Sequence, residues 1–113
     1  MKQGEIWLID LDPAKGSEMQ KKRSAIIIND DSLGILPLKI IVPVTDWKDR
    51  YQIAIWMIKI EQSPVNGLTK LSAIDCFQVR SLSQERFIKK LGSVDDHILD
   101  AIKDAFKKIF SQS

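Results

Sequence analysis

Short apolar runs separated by turn-forming residues occupy most of the first ninety positions of the chain. Runs of this length, rich in β-branched side chains and bounded by glycine, proline, asparagine and aspartate, are typical of β-strands. They predict six strands, with a single helical turn before the last one. The predicted strands span 5–11, 24–29, 39–44, 53–60, 71–80 and 87–91, and the helical turn spans 81–86. No helical pattern falls between consecutive strands, as a parallel sheet would require, so the pattern favours an antiparallel sheet.

The chain ends in an amphipathic pattern of helical period. The segment Ser93-Val94-Asp95-Asp96 has the form of a capping motif, with acidic residues where the positive end of the helix dipole favours them. Apolar residues then recur three or four positions apart, at Ile98, Leu99, Ile102, Ala105, Phe106, Ile109 and Phe110. Six short strands and one terminal helix predict a mainly β fold with an α component, either a small antiparallel barrel or a strongly curved sheet.

Length and composition are those of an ordinary globular domain. The chain has 113 residues and a net charge of +2, so we expect one domain over 1–113, and the charge neither demands nor excludes nucleic acid. No apolar run approaches the ~20 residues that span a bilayer, and no signal-like apolar segment follows the first residues. We therefore expect a cytoplasmic protein without membrane contact. A single cysteine, Cys76, excludes an internal disulfide and is expected in the core, whereas His97 is expected on the helix surface.

Basic residues concentrate ahead of the second predicted strand. Lys15, Lys21, Lys22 and Arg23 fall within nine positions, opposed only by Glu18. An arginine thus enters one strand, while a hydroxyl, that of Thr45, leaves the next. A guanidinium beside a hydroxyl is suited to holding a phosphodiester, because the guanidinium stays charged and presents a planar fork of donors. By residue type alone, a surface cation that opens a strand and an ordinary strand-end threonine are the favoured interpretations of Arg23 and Thr45.

One reaction on a phosphodiester needs neither a metal nor a protein nucleophile. RNA carries a 2′-hydroxyl beside each phosphate, so an enzyme need only align it, move protons and stabilise the transition-state charge. The chain has no phosphate-cradling GxxxxGK[ST] loop and no GxGxxG fingerprint. Glu18, Asp30 and Asp46 show no metal-ligand spacing and are interpreted as solvated turn acids. We therefore expect no metal and no cofactor.

Several segments match one family in order and spacing. They are Gly4-Glu5-Ile6-Trp7 with Asp10-Leu11-Asp12-Pro13, Gly16-Ser17-Glu18 with Arg23, Val42-Pro43-Val44-Thr45, Ser72 with Gln78-Val79-Arg80, and Lys90-Leu91-Gly92. The chain resembles the MazF/PemK toxins of bacterial type II toxin–antitoxin modules, whose G-S-E-x4-R loop and S-x5-Q-[IV]-R strand it reproduces. This resemblance covers nearly all of the sequence.

The resemblance implies a small SH3-like antiparallel barrel of the CcdB/PemK type with a C-terminal helix, and a homodimer. It implies a metal-independent, sequence-specific endoribonuclease, an mRNA interferase that cleaves single-stranded mRNA. The family's catalytic arginine and threonine correspond to Arg23 and Thr45, and its loop glutamate to Glu18. The implied RNA-binding residues are Lys15, Gly16, Ser17, Lys21, Lys22, Asp46, Trp47 and Gln78. The implied partners are single-stranded RNA and a cognate MazE-like antitoxin, and the toxin–antitoxin complex is expected to bind its own operator DNA.

Two positions depart from the family pattern and keep alternatives open. The arginine is usually followed by proline and the threonine by a small polar residue, but here Ser24 and Asp46 stand in those places. A carboxylate facing the site would repel phosphate, so a catalytically weak homologue that binds RNA or antitoxin is one alternative. The other is a gyrase-poisoning toxin similar to CcdB, whose Trp-Gly-Ile ending this chain lacks. An apolar groove for the antitoxin, lined by Trp47, Tyr51 and Trp56, is a further expectation.

Overall fold

The computed structural model describes residues 1–11, 22–33 and 36–111 of the chain. These residues form seven strands, β1 (Glu5–Asp10), β2 (Lys22–Ile27), β3 (Leu38–Asp46), β4 (Met57–Ile60), β5 (Ser72–Asp75), β6 (Arg80–Ser83) and β7 (Phe87–Ser93), and one helix, α1 (Asp96–Ile109). Short 3₁₀ turns lie at Asp31–Leu33, Asp49–Ile53, Cys76–Gln78 and Gln84–Arg86. The predicted antiparallel β fold with a terminal helix is confirmed.

All strand pairings are antiparallel, in the order β4-β5-β3-β2-β1-β7. The long strand β3 organises the sheet, because β2 lies along one of its edges while β5 and β6 share the other. Strand β5 pairs with the end of β3, and β6 pairs with its beginning. Among the described residues no pairing joins β4 to β7, so the term barrel describes this curved sheet only loosely.

The central strands are buried on both faces, which explains why they read as continuous apolar runs rather than alternating ones. On one face, a cluster that includes Ile26 and Val42 packs against Ile102 and Ala105 of α1. On the other face lies a second cluster, formed by Ile9, Ala25, Ile27, Ile41, Leu82 and Phe87. The two clusters anchor β2 and β3 from both sides, so side chains at the ends of these strands start from a fixed backbone.

Two predicted strands were wrong in extent. The strand expected over 53–60 begins only at Met57. Asp49–Ile53 forms a 3₁₀ turn in which Ile53 is 91% exposed, and a second turn follows, closed by a hydrogen bond from the N–H of Met57 to the carbonyl of Ala54. The strand expected over 71–80 is divided by the turn Cys76–Gln78. In that turn the side chain of Asp75 accepts a hydrogen bond from the backbone N–H of Phe77, which ends β5 and redirects the chain. The apolar content of both segments concealed these breaks.

The helix begins later than its capping motif suggested. Asp95 is the N-cap, and its side chain accepts a hydrogen bond from the backbone N–H of Ile98. Ser93, expected to open the cap, is instead the last residue of β7. His97 lies exposed in the first turn, as expected.

Cys76 is fully buried, as its apolar setting predicted. Burial, together with the neighbouring carboxylate of Asp75, raises the pKa of the Cys76 thiol to about 12. The thiol therefore stays protonated at neutral pH and is a poor nucleophile. The described residues contain no helix that is long and apolar enough to cross a membrane.

Glu5 joins the first strand to the last. Its side chain, 14% exposed, lies 3.3 Å from Lys90 Nζ and accepts hydrogen bonds from the Trp7 indole N–H and the Lys2 backbone N–H. Burial raises the pKa of Glu5, but the hydrogen bonds and Lys90 outweigh burial and hold this pKa below its usual value of 4.5. The ionised form therefore stabilises the folded state.

Replacing Glu5 with glutamine is expected to lower the free energy of unfolding by about 1–3 kcal/mol at pH 7, because hydrogen bonds to a charged acceptor are lost. A lowered folded-state pKa means that this stabilisation is complete above the unfolded-state pKa and disappears as pH falls through the folded-state value. Urea unfolding at pH 7 and pH 3 measures the difference. Glu61→Gln, at an exposed position, is the control. If Glu5→Gln lowered the free energy of unfolding equally at both pH values, the lowered folded-state pKa of Glu5 would be contradicted.

Candidate active site

The register between β2 and β3 brings the predicted arginine and threonine together. Ser24 pairs with Val44, and Ala25 pairs with Pro43. In antiparallel strands the next position along places Arg23 opposite Thr45. Both residues line an open cavity of about 290 Å³, together with Lys22, Ser24, Val44 and Asp46. Residues that are far apart in the sequence thus share one concave surface.

The two side chains rise from the same face of the sheet. Because side chains alternate along a strand, Arg23 lies on the face of Ala25 and Ile27, and Thr45 on the face of Pro43 and Ile41. Three of these four neighbours, all except Pro43, belong to the second apolar cluster, and all four are buried. Arg23 itself is half-buried. A guanidinium held over packed apolar residues presents its donors with little rearrangement.

Arg23 also borders a second cavity, of about 300 Å³. Its polar residues are Arg23, Gln78 and Arg80, and its apolar residues are Ile9, Leu11, Ile41 and Pro43. The cavity therefore combines two guanidinium groups, one carboxamide and an apolar floor. Donors and acceptors beside an apolar surface suit an aromatic heterocycle attached to a phosphate.

Arg80 is a site residue that sequence reasoning missed as a functional group. A continuous strand over 71–80 gives no reason to place Arg80 beside Arg23. The turn at Cys76–Gln78 moves the chain from one end of β3 to the other, and Arg80 then pairs with Ile41. The signal in the sequence was its place as the arginine of the S-x5-Q-[IV]-R pattern, two residues after Gln78.

Asp46 faces a lysine across the rim of the first cavity. Lys70 Nζ lies 3.7 Å from Asp46 Oδ2, and both side chains are about two-thirds exposed. An exposed pair of this kind contributes little stability, but it offsets part of the negative charge beside Thr45. Beyond it, a third cavity of about 340 Å³ contacts Thr45 and Asp46 and includes Lys70 and Lys89.

A family model for the PemK-like, MazF-like toxin of type II toxin–antitoxin systems matches residues 2–110. The chain belongs to this family. It is 30% identical over 117 residues to endoribonuclease MazF9 of Mycobacterium tuberculosis, covering 95% of this chain and 93% of that protein. It is 28% identical over 104 residues to endoribonuclease PemK of Escherichia coli, covering 90% and 76% respectively.

Solved MazF structures share the fold of this chain. MazF from Deinococcus radiodurans superposes with a TM-score of 0.77 at 16% identity, over 99% of this chain and 97% of that one. A mycobacterial endoribonuclease in complex with its cognate antitoxin also gives a TM-score of 0.77, at 13% identity, over 100% and 97%. At such low identity the likeness concerns the backbone architecture, which is that of a MazF toxin.

The three aromatic residues expected to line an antitoxin groove belong to two different ring pairs of this MazF-like chain. Trp47 meets Tyr51 edge to face, with ring centroids 5.9 Å apart, and Lys59 Nζ lies 5.1 Å from the Trp47 ring centroid. Trp56 instead packs on Phe77, 5.7 Å away. Trp47 follows Asp46 directly but does not line either cavity that contains Arg23.

Part of the predicted set lies outside the described residues. These residues are Lys15, Gly16, Ser17, Glu18 and Lys21. Within the described part of the chain, no group of three or more His, Cys, Asp or Glu side chains is arranged to hold a metal ion. Of the predicted residues that are described, Lys22, Arg23, Thr45 and Asp46 share one cavity, Gln78 borders the adjoining one, and Trp47 lies outside both.

Proposed function

We propose that this MazF-family chain is the toxin of a type II toxin–antitoxin pair, and that it cleaves single-stranded mRNA at specific sequences without a metal ion. The observation that carries the proposal is the shared cavity of Arg23 and Thr45 on two strands packed from both faces. The endoribonuclease names of relatives that align over most of the chain support the same activity. Residues 1–113 act as one toxin domain in this proposal.

In the proposed reaction the 2′-oxygen of RNA attacks the adjacent phosphorus. A bond forms between the 2′-oxygen and phosphorus, and the bond to the 5′-oxygen breaks, which leaves a 2′,3′-cyclic phosphate and a 5′-hydroxyl. The 2′-hydroxyl proton is lost to a base, for which Glu18 is the candidate, and the 5′-oxygen gains a proton from Arg23. Arg23 is poorly suited to be the base, because a guanidinium carries its positive charge throughout the working pH range and has no free acceptor.

The same residues would stabilise the transition state. Negative charge grows on the non-bridging oxygens as the phosphorus becomes five-coordinate, and the planar fork of Arg23 can donate to two of them. Thr45 donates its hydroxyl proton to a non-bridging oxygen and so fixes the phosphate. The RNA backbone is bound by Lys15, Gly16, Ser17, Lys21 and Lys22. Flanking nucleotides are contacted by Asp46 and Trp47, and Gln78 reads a base. Only RNA offers the 2′-hydroxyl, so DNA is not cut.

The proposed partners follow from the charge of these cavities. An acidic, disordered segment of a MazE-like antitoxin would compete with RNA for Arg23 and its neighbouring lysines. A mycobacterial relative of the same fold has been solved with its cognate antitoxin. We also propose a homodimer, action in the cytoplasm, and binding of the toxin–antitoxin complex to its own operator DNA.

A catalytically weak homologue that binds RNA or antitoxin is the second candidate, and Asp46 is the observation that favours it. Its carboxylate lines the cavity of Arg23 and Thr45, and an exposed lysine 3.7 Å away offsets its charge only partly. Binding of RNA without turnover would identify this case.

Cleavage in the presence of EDTA tests the proposal. The purified chain is expected to cut a long single-stranded RNA at the same positions and rates with excess EDTA as without it, because no step of the proposed reaction uses a metal. A DNA copy should stay intact, and the RNA fragments should end in a 2′,3′-cyclic phosphate. Intact RNA, or cleavage that EDTA abolishes, would reject the mechanism.

A further inference from the structure

Asp75 is a buried carboxylate with a separate partner for each oxygen. It ends β5 and is only 7% exposed. Its Oδ1 accepts a hydrogen bond from the backbone N–H of Phe77 at 3.1 Å, and its Oδ2 accepts one from Gln78 Nε2 at 2.8 Å. The hydrogen bond from Phe77 caps the turn Cys76–Gln78, whereas the hydrogen bond from Gln78 holds a side chain that lines the cavity of Arg23 and Arg80. Asp75 thus connects the fold of the turn to the orientation of Gln78.

This arrangement decides which end of the Gln78 carboxamide is available. Asp75 Oδ2 accepts its hydrogen bond from Gln78 Nε2, so the NH₂ end of Gln78 faces Asp75. The carbonyl oxygen Oε1 then remains, and no residue in the described part of the chain donates to it. Gln78 borders the cavity that also contains Arg23 and Arg80. The cavity therefore offers one fixed acceptor among guanidinium donors.

We propose that Asp75 is a positioning residue for base selection: it holds Gln78 as a hydrogen-bond acceptor, so that this cavity takes an RNA base with an N–H donor facing Oε1. This inference rests on the proposed RNA cleavage and adds to it a determinant of specificity. A free carboxamide can present either its donor or its acceptor end, and so discriminates poorly between base edges. Arg80, which lines the same cavity, could donate to an acceptor on the same base edge.

Asp75→Asn tests the inference because asparagine has the same shape but only one acceptor oxygen. The N–H of Phe77 can be satisfied only by that oxygen, so the NH₂ group of the new side chain takes the place of Oδ2. Gln78 must then turn its own oxygen toward residue 75 and present its NH₂ group to the cavity. At one nucleotide of the cleavage sequence, discrimination between donor-bearing and donor-lacking bases is expected to fall roughly tenfold or to reverse.

The measurement is kcat/KM on RNAs that vary at each nucleotide around the mapped cut, including base analogues that lack the N–H donor. With the unmodified protein, removal of the donor at the position read by Gln78 is expected to lower kcat/KM about tenfold. This measurement uses only the unmodified protein, so it does not depend on whether Asp75→Asn folds. Preferences at all other nucleotides should stay the same.

Two further variants separate positioning from a structural role. In a Gln78→Leu background, Asp75→Asn should leave base preference unchanged, because the group that it reorients is gone. Ser83→Ala is a matched control, since Ser83 caps the neighbouring 3₁₀ turn by accepting from the N–H of Glu85 and lies outside the cavity. Its base preference should equal that of the unmodified protein.

The outcomes distinguish this inference from the proposed function. If the unmodified protein cuts RNA but Asp75→Asn retains its base preference at every nucleotide, the positioning role of Asp75 is wrong and the nuclease proposal stands. An Asp75→Asn effect that persists in the Gln78→Leu background would also overturn it. If the unmodified protein cuts no RNA, the proposed function fails first.

Discussion

Replacing Arg23 with alanine is expected to lower the rate of RNA cleavage by about 10²–10³-fold, with little change in the stability of the fold. The magnitude is that of losing one preorganised donor to a developing oxyanion. Arg23 lies at the rim of the sheet, half-buried and bordering two cavities, and no described residue forms an ion pair with it. Single-turnover cleavage at saturating protein, with thermal unfolding in parallel, measures both quantities.

Two variants control for the Arg23 result. Arg23→Lys keeps the charge but loses the planar fork, so its rate should fall between those of the unmodified protein and Arg23→Ala. Arg50→Ala removes an exposed arginine that lies over the ring of Tyr51, outside the cavities that contain Arg23, and should cut at nearly the normal rate. Undiminished cleavage by Arg23→Ala would mean that the activity comes from elsewhere in the protein or from a contaminant.

Gly67→Ala is expected to lower the free energy of unfolding by about 3 kcal/mol or more, and the Tm by roughly 10 °C or more. Two causes act at this position. Gly67 has a φ of +70°, a backbone conformation that residues other than glycine rarely adopt, and an added Cβ would collide with the backbone carbonyl of Leu91. Because backbone rather than a flexible side chain blocks the space, the loop must move away from β7. Differential scanning calorimetry measures the loss.

Alanine substitutions at two other glycines separate the effect of a positive φ from the effect of a collision with backbone atoms. Gly4 has a φ of +89°, but its Cβ would lie 3.4 Å from Leu99 Cδ1 and from the Val94 carbonyl oxygen, so Gly4→Ala should cost only about 1 kcal/mol. Gly92 lacks a positive φ but would collide with the backbone of Val65 and Asn66, so Gly92→Ala should lie close to Gly67→Ala. Equal Tm values for Gly4→Ala and Gly67→Ala would show that backbone conformation alone decides the cost.

The loop around Gly67 matters to the site as well as to stability. Gly67, Leu68, Thr69 and Lys70 line the third cavity beside Thr45. Asn66 holds the loop, because its Oδ1 accepts hydrogen bonds from the backbone N–H groups of Ser63 and Leu68. The Asn66-Gly67 turn thus fixes one wall next to the proposed phosphate site.

Much of the fold could be predicted from local patterns. Apolar runs and turn residues located most of the strands, and the apolar period located the helix. The predicted strand extents were wrong at 53–56 and 76–79, where turns that follow or include short 3₁₀ segments contain apolar residues typical of strands. Such turns depend on single hydrogen bonds, for example the cap that Asp75 provides, and a local apolar average does not detect them.

The sequence by itself determined the residue types of the site, the order of its motifs and the family to which the chain belongs. Only the tertiary structure decided which of these residues meet. The pairing of β2 with β3 brings Arg23 beside Thr45, and the turn at Cys76–Gln78 brings Gln78 and Arg80 into the next cavity. The physical reason is that register depends on which apolar side chains pack together across both faces of the sheet, and that interaction joins segments that no local pattern relates.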